Sequence, residues 1–382
     1  MQPNLELRCV PVFRKGGVLY LQAGQAQGVC TGDEYSLSAF ASIEDSCSLT
    51  QVPVKAKVDV ARGLTSNLIL LDSPDITSRI ETGWVARPLT HLSTRKMPVG
   101  IMAQVQNQDE WLAAASGWPL LNLTTQDREG QSCLFNISLN ESAEYEILDQ
   151  SQQRIRSLPT VPHHREGSLD TVLGVLNHIA RYKTLEAIEN RIPNALFVKS
   201  FTITLVDPAG NNKEEAATLN VKDNEIVQIK VRNLGAQAIY LRVLSLGSSW
   251  QVDNVLCNGN GEPYRVVPPK DAEGRHTGET AFSLRINIPS HFEELGLYRC
   301  EDIFKVFVTR RPFPFTLLQL DVIHTTIKEL RSSRSSSNLL STFTAKLAMQ
   351  SYRGTSSEVG DDEWVVRNYI ITTGLDTWTP GT

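Results

Sequence analysis

No apolar run in this sequence approaches the ~18–20 residues that a membrane-spanning helix needs. The amino terminus, MQPNLELRCVPVFRKGG, lacks a basic start followed by an apolar stretch, so no secretory signal is expected there. Neither sign of charge dominates. The net charge is −5 and no dense Lys/Arg cluster occurs, which argues against nucleic acid as a partner. Six cysteines stand far apart, at Cys9, Cys30, Cys47, Cys133, Cys257 and Cys300, and no two form a CxxC pair. A disulfide framework has denser spacing in a smaller chain. Buried thiols in a reducing, cytoplasmic setting are expected instead. The triplets at Asn122, Asn136 and Asn140 match a glycosylation acceptor but read as chance without a signal.

Common catalytic signatures are missing too. There is no Gly-x-Ser-x-Gly elbow, no GxxxxGK[ST] loop and no GxGxxG after a strand. Asn258-Gly-Asn-Gly261 is too short and polar to cradle phosphate. Cysteine nucleophiles need a thiolate with an imidazole in reach. Cys47, in Asp45-Ser-Cys47-Ser-Leu, is the tempting candidate, but no His-Gly pair occurs to supply a caspase-type base. His163-His164 follows Pro159 and Pro162. Adjacent residues of an extended strand face opposite ways, so the pair reads as solvent-exposed rather than metal-binding. His178 reads as a packing residue in a helix, and Asp361-Asp-Glu363 as solvated charge lacking the spaced ligands of a calcium loop. Trp84, Trp111, Trp118, Trp250 and Trp364 sit in apolar patterns and are expected to pack in cores; Trp378 lies in the tail.

What is present suffices for two or three domains, with 41% hydrophobic and 21% charged residues over 382 positions. The expected class is mainly β with an α+β middle. Residues 1–92 carry short strands between glycine turns. Val54, Ala56, Val58 and Val60 alternate with Lys55, Lys57 and Asp59, and Gly83-Trp-Val-Ala86 ends the set. A small β-barrel follows from that pattern. Residues 93–195 read as α+β. A strand spans 99–105. A helix follows, with Asn107 as N-cap, Glu110 completing a capping box and Trp111, Leu112 and Ala115 facing inward. Further strands fall near 133–139, 144–148 and 154–158. One long helix is expected over 168–190, with Ser168 capping its first turn. Residues 196–326, joined by a last strand at 363–373, read as an antiparallel β-sandwich. Residues 327–362, including the serine-rich Arg331–Ser337 and the polar Gly354–Asp362, are expected to form a flexible loop.

Several stretches resemble one family. Ala23-Gly-Gln-Ala-Gln-Gly-Val29, ending in Gly32-Asp-Glu-Tyr35, resembles a barrel element of fungal caspase-like, metacaspase-related (C14-type) proteins, where it follows the peptidase domain. Leu176-Asn-His-Ile-Ala-Arg-Tyr182 with Glu189-Asn190 resembles a helix of the same proteins. Ala238–Leu244, Ser248-Ser-Trp250, Phe304–Thr309 and Pro312-Phe-Pro-Phe315 are similar to a DUF4384-like accessory β domain found beside such peptidases. The resemblance runs from about residue 12 to 373 and rests on the order of the motifs. It implies a non-catalytic regulatory or protein-interaction region, docking substrate or partner or controlling activation. Its expected partners are a caspase-like peptidase domain and other proteins, with no nucleic acid and no membrane. No residue carries a catalytic, cofactor-binding or metal-binding role in that reading, and no cofactor is expected. The alternative is a free-standing cysteine hydrolase built from Cys47 or Cys257 with His178 or His276.

Overall fold

The computed structural model describes residues 10–39, 54–71, 80, 83–90, 96–118, 120–125, 133–214, 218–256, 264–271, 277–312, 319–323 and 363–375. Cys47, Cys257, His276, Trp378 and the serine-rich 327–362 segment up to Asp362 lie outside these residues. The chain divides into two compact units. Among the described residues, those from 10 to 188 together with 323 belong to the first, and those from 189 to 322 together with 363–375 to the second.

The first unit opens with six strands: β1 (Val10–Lys15), β2 (Val18–Leu21), β3 (Glu34–Ser38), β4 (Val54–Ala61), β5 (Ser66–Leu70) and β6 (Trp84–Thr90). They close a barrel in the order β1-β2-β5-β4-β3-β6, every pair antiparallel. Alternation decides which side chains fill it. Val54, Ala56 and Val58 are buried while Lys55 is exposed. Register shifts at Val58/Val60 and Glu34/Tyr35 add the local coiling that closure requires. Closure leaves no unpaired edge.

A glycine turn locks the barrel. The 3-10 turn Gln25–Gln27 lies across the β4–β5 hairpin, where Gln25 and Ala26 N–H donate to Arg62 and Gly63 carbonyls at 2.7 and 2.9 Å. A Cβ on Gly24 would stand on the Arg62 carbonyl and within 2.7 Å of Gly63 O and Thr65 N. Main chain cannot yield as a flexible side chain can, so only glycine fits.

The rest of the first unit is α+β. Its mixed sheet runs β11-β10-β9-β7-β8, with β7 (Met97–Ile101), β8 (Leu121–Thr125), β9 (Phe135–Leu139), β10 (Glu144–Asp149) and β11 (Val161–Pro162). β7 lies parallel to both β8 and β9. Arg154 makes only an isolated bridge to Leu148, so the expected strand over 154–158 does not form.

Helix α1 (Gln108–Ala115) starts at Asn107, but Asn107 is left-handed (φ 54) and its side chain caps nothing, so the capping box does not form. Trp111 and Ala115 are buried while Leu112 is exposed, because the buried stripe is narrower than expected. The long helix α2 spans Ser168–Glu186, stopping short of residue 190. Gly167 is its N-cap; the Ser168 hydroxyl donates instead to the His163 carbonyl at 3.1 Å.

The second unit is a two-sheet sandwich. One sheet orders β13-β12-β15-β19, from β12 (Phe201–Val206), β13 (Asn212–Glu214), β15 (Ile226–Asn233) and β19 (Glu279–Arg285). The other orders β14-β21-β20-β16-β17, from β14 (Thr218–Lys222), β16 (Ile239–Leu246), β17 (Val252–Asn254), β20 (Arg299–Thr309) and β21 (Trp364–Gly374). β18 (Arg265–Val267) also pairs with β16.

Ile203, Val227, Ile229 and Leu284 from one sheet share a core with Leu241, Val243, Val306, Val365 and Tyr369 from the other. The sandwich is not wholly antiparallel. β21 runs antiparallel to β20 but parallel to β14. Two short helices, α3 (Ala195–Lys199) and α4 (Ser290–Glu294), attach to this unit. Asn194 caps α3, its side chain accepting from Leu196 and Phe197 N–H.

Candidate functional site

Reactive side chains of the described residues gather at one end of the sandwich. β16 leaves the sheet through a tight turn in which Trp250 N–H donates to Gly247 O at 2.9 Å. Trp250 is left-handed there (φ 66), a conformation that costs a bulky residue energy and persists only where its surroundings enforce it. The neighbouring hydrogen bonds supply that enforcement. Ser248 N–H donates to Asp302 Oδ1 on β20 at 2.9 Å, and Ser249 Oγ pairs with His291 Nε2 on α4 at 3.2 Å. Helix α4 is itself anchored by Phe292, which packs with Ile288 and Cys300 in a small satellite core. Just before it, Ile288 N–H donates to Asp223 Oδ1 at 2.7 Å.

Electrostatics follow from burial. The Cys300 thiol is buried and pushed up to about 11, first by desolvation and then by the Asp302 charge. The Ser248 and Thr373 hydroxyls beside it pull the other way, although neither oxygen completes a regular hydrogen bond among the described residues. Asp302 is likewise pushed above its ordinary range by burial, against the opposing Ser248 N–H. A thiol held protonated is a poor nucleophile. Ser249 is only 4% exposed, so its bond to His291 joins a turn to a helix beneath the surface.

The opposite face of the six-stranded sheet is also buried, at Leu244, Leu246, Phe307 and Trp364, and Arg242 and Lys305 lie among them. Lys305 Nζ donates to Asn368 Oδ1 at 3.0 Å across the β20–β21 pair, which satisfies part of a fully buried ammonium.

Apart from Trp250, which lies in this turn, the described residues singled out from sequence as site candidates fall elsewhere. His178 is buried in α2, a packing position. Trp111, Trp118 and Trp364 are buried, while Trp84 and Trp250 are half-buried. His163 and His164 depart from the strand picture: they occupy a turn after β11, with ring centroids 5.6 Å apart. Among the described residues no group of three or more His, Cys, Asp or Glu is arranged to hold a metal, and no helix is long and apolar enough to cross a membrane. Sequence patterns do not group Ser248, Ser249, His291 and Asp302, because each hydrogen-bonded pair among them, Ser248–Asp302 and Ser249–His291, is more than 40 residues apart. The one local signal was the glycine-serine turn itself.

No protein-family model matches the chain, and the search of curated proteins finds no match to it.

Proposed function

We propose that this chain is the non-catalytic regulatory or protein-interaction region that accompanies a caspase-like cysteine peptidase domain in the cytoplasm. In that role it docks substrate or partner, or controls activation. One observation carries the reading. Ser248-Ser-Trp250, among the motifs that resemble the accessory β domain, forms a clamp in which Ser248 and Ser249 hold strand β20 and helix α4. Its chemistry-bearing groups therefore serve the fold, and Cys300 beside them is kept as a neutral thiol.

The test combines the full chain with a separately purified caspase-like peptidase domain. Calorimetry measures binding, and cleavage of peptides after basic or acidic residues measures activity. The expected result is no cleavage by the chain alone, stoichiometric binding to the domain and an altered cleavage rate in the mixture. Cleavage by the chain alone that disappears in Cys47→Ala or Cys257→Ala would overturn the proposal in favour of a cysteine hydrolase.

A further inference from the structure

The turn that follows β11 carries two exposed imidazoles on a hydrogen-bonded frame. His163 donates twice to one carbonyl: its backbone N–H reaches Ala143 O at 3.1 Å and its Nδ1 reaches the same oxygen at 2.9 Å. A carbonyl can only accept, so Nδ1 of His163 carries the proton and the lone pair of the neutral ring is on Nε2. Ala143 itself is left-handed (φ 59), which belongs to the tight turn between β9 and β10. Tyr145 lies edge-on to the His163 ring at 6.5 Å and in turn meets the buried Trp111 at 5.0 Å. Below the pair, Arg165 N–H donates to Pro162 O, Ser168 N–H to Arg165 O, and the Ser168 hydroxyl to His163 O.

A metal-binding histidine typically donates its other ring N–H to a carbonyl or carboxylate, which fixes tautomer and orientation. His163 has that arrangement. The separation is also suitable. Two imidazoles on one tetrahedral ion have centroids roughly 5 Å apart, given M–N bonds of about 2.0–2.1 Å plus the ring radii. His163 and His164 stand 5.6 Å apart at 86°. Imidazole favours borderline transition ions over Mg²⁺ or Ca²⁺, which take oxygen ligands.

We propose that His163 and His164 form a two-imidazole surface site for a divalent transition ion such as Zn²⁺ or Cu²⁺, with water completing the coordination. The site is independent of the peptidase-region reading, since it needs only this turn.

The experiment titrates the full chain with ZnCl2 by calorimetry, with MgCl2 as control, and records the electron paramagnetic resonance spectrum at one equivalent of Cu²⁺. The expected result is one Zn²⁺ site without a Mg²⁺ counterpart and a Cu²⁺ signal coupled to two nitrogens. His163→Ala and His164→Ala should each weaken it at least about tenfold, the scale on which ligand-shell losses act. Both residues are exposed, so unchanged thermal melts should accompany the loss. Undiminished Zn²⁺ binding in the double variant, or no Zn²⁺ binding to the parent chain, overturns the proposal.

Discussion

The barrel and the sandwich are both mainly antiparallel β, yet they are held in different ways. The barrel takes its six strands from one stretch of chain, Val10–Thr90, and closes on itself. Its buried polar side chains bond to main chain: Gln27 Oε1 accepts from Gly24 N–H and Asp33 Oδ2 from Cys30 N–H, each three residues away, while the Ser66 hydroxyl donates to Ala23 O across 43 residues. The sandwich draws its strands from two separate stretches. β21 is inserted between β14 and β20, and the buried polar groups pair across distant strands and helices. Side-chain bonds to main chain therefore brace the barrel, whereas at Lys305–Asn368 and Ser249–His291 the sandwich is braced side chain to side chain.

The sharpest way to break that contrast is to remove β21 by ending the chain at Ser357. Tyr369, Val365 and Ile371 would leave the shared core, and Trp364 its buried place on the sheet. Truncating one large buried aromatic costs about 3–5 kcal/mol, against a typical total of about 5–15 kcal/mol. Hydrogen exchange should then find the sandwich strands unprotected while β1–β6 stay protected. Equal protection of β16 and β20 in both chains would refute the view that β21 completes the sheet.

Gly24→Ala is the matching strike on the barrel. The new methyl group meets main chain rather than a movable side chain, so a loss of roughly 1–3 kcal/mol or more is expected. The measurement is a denaturant melt followed by exchange on β4 and β5, and an unchanged midpoint would contradict it.

The smallest effect sharpens the comparison through pH. Burial raises the Asp302 carboxyl above its ordinary range. A carboxyl that binds its proton more tightly in the fold destabilises the fold when ionised. That cost is complete above the raised value, fades as pH falls toward the ordinary carboxylate range, and is gone below it. Asp302→Asn should therefore leave stability at neutral pH equal or higher and reduce the gain on acidification. Urea midpoints of both proteins at about pH 7.5 and about pH 4.5 decide it; an identical pH response would remove Asp302 from the account.

Much of the fold could be read from local patterns. Val54, Ala56 and Val58 alternate at period two and are buried on one face as the pleat requires, whereas Val60, expected to continue the pattern, is exposed beyond the register shift that follows Val58. Leu173, Leu176 and Ala180 recur at helical spacing, and α2 forms there. Caps were less legible: Asn107 stands at the expected helix start without a side-chain cap bond, its backbone left-handed rather than in the extended conformation typical of a capping residue. Of the clamp at Ser248 and Ser249 only the turn was legible, not its partners. Hydrogen bonds to Asp302 and His291 depend on where two other segments are brought, and no spacing in the chain encodes that.

The amino-acid sequence by itself determined where many of the strands and the long helix lie, the glycine turn at Gly24 and the one-sided burial of Val54, Ala56 and Val58, since these follow from periodicity and backbone freedom within a few residues; it did not determine the absence of a strand over 154–158 or the end of α2 at Glu186. Tertiary structure alone decided that β21 runs parallel to β14, that Lys305 is buried against Asn368, and that two adjacent histidines turn their rings toward one another. Each of these depends on the meeting of segments whose joint energy is fixed only when the chain has folded.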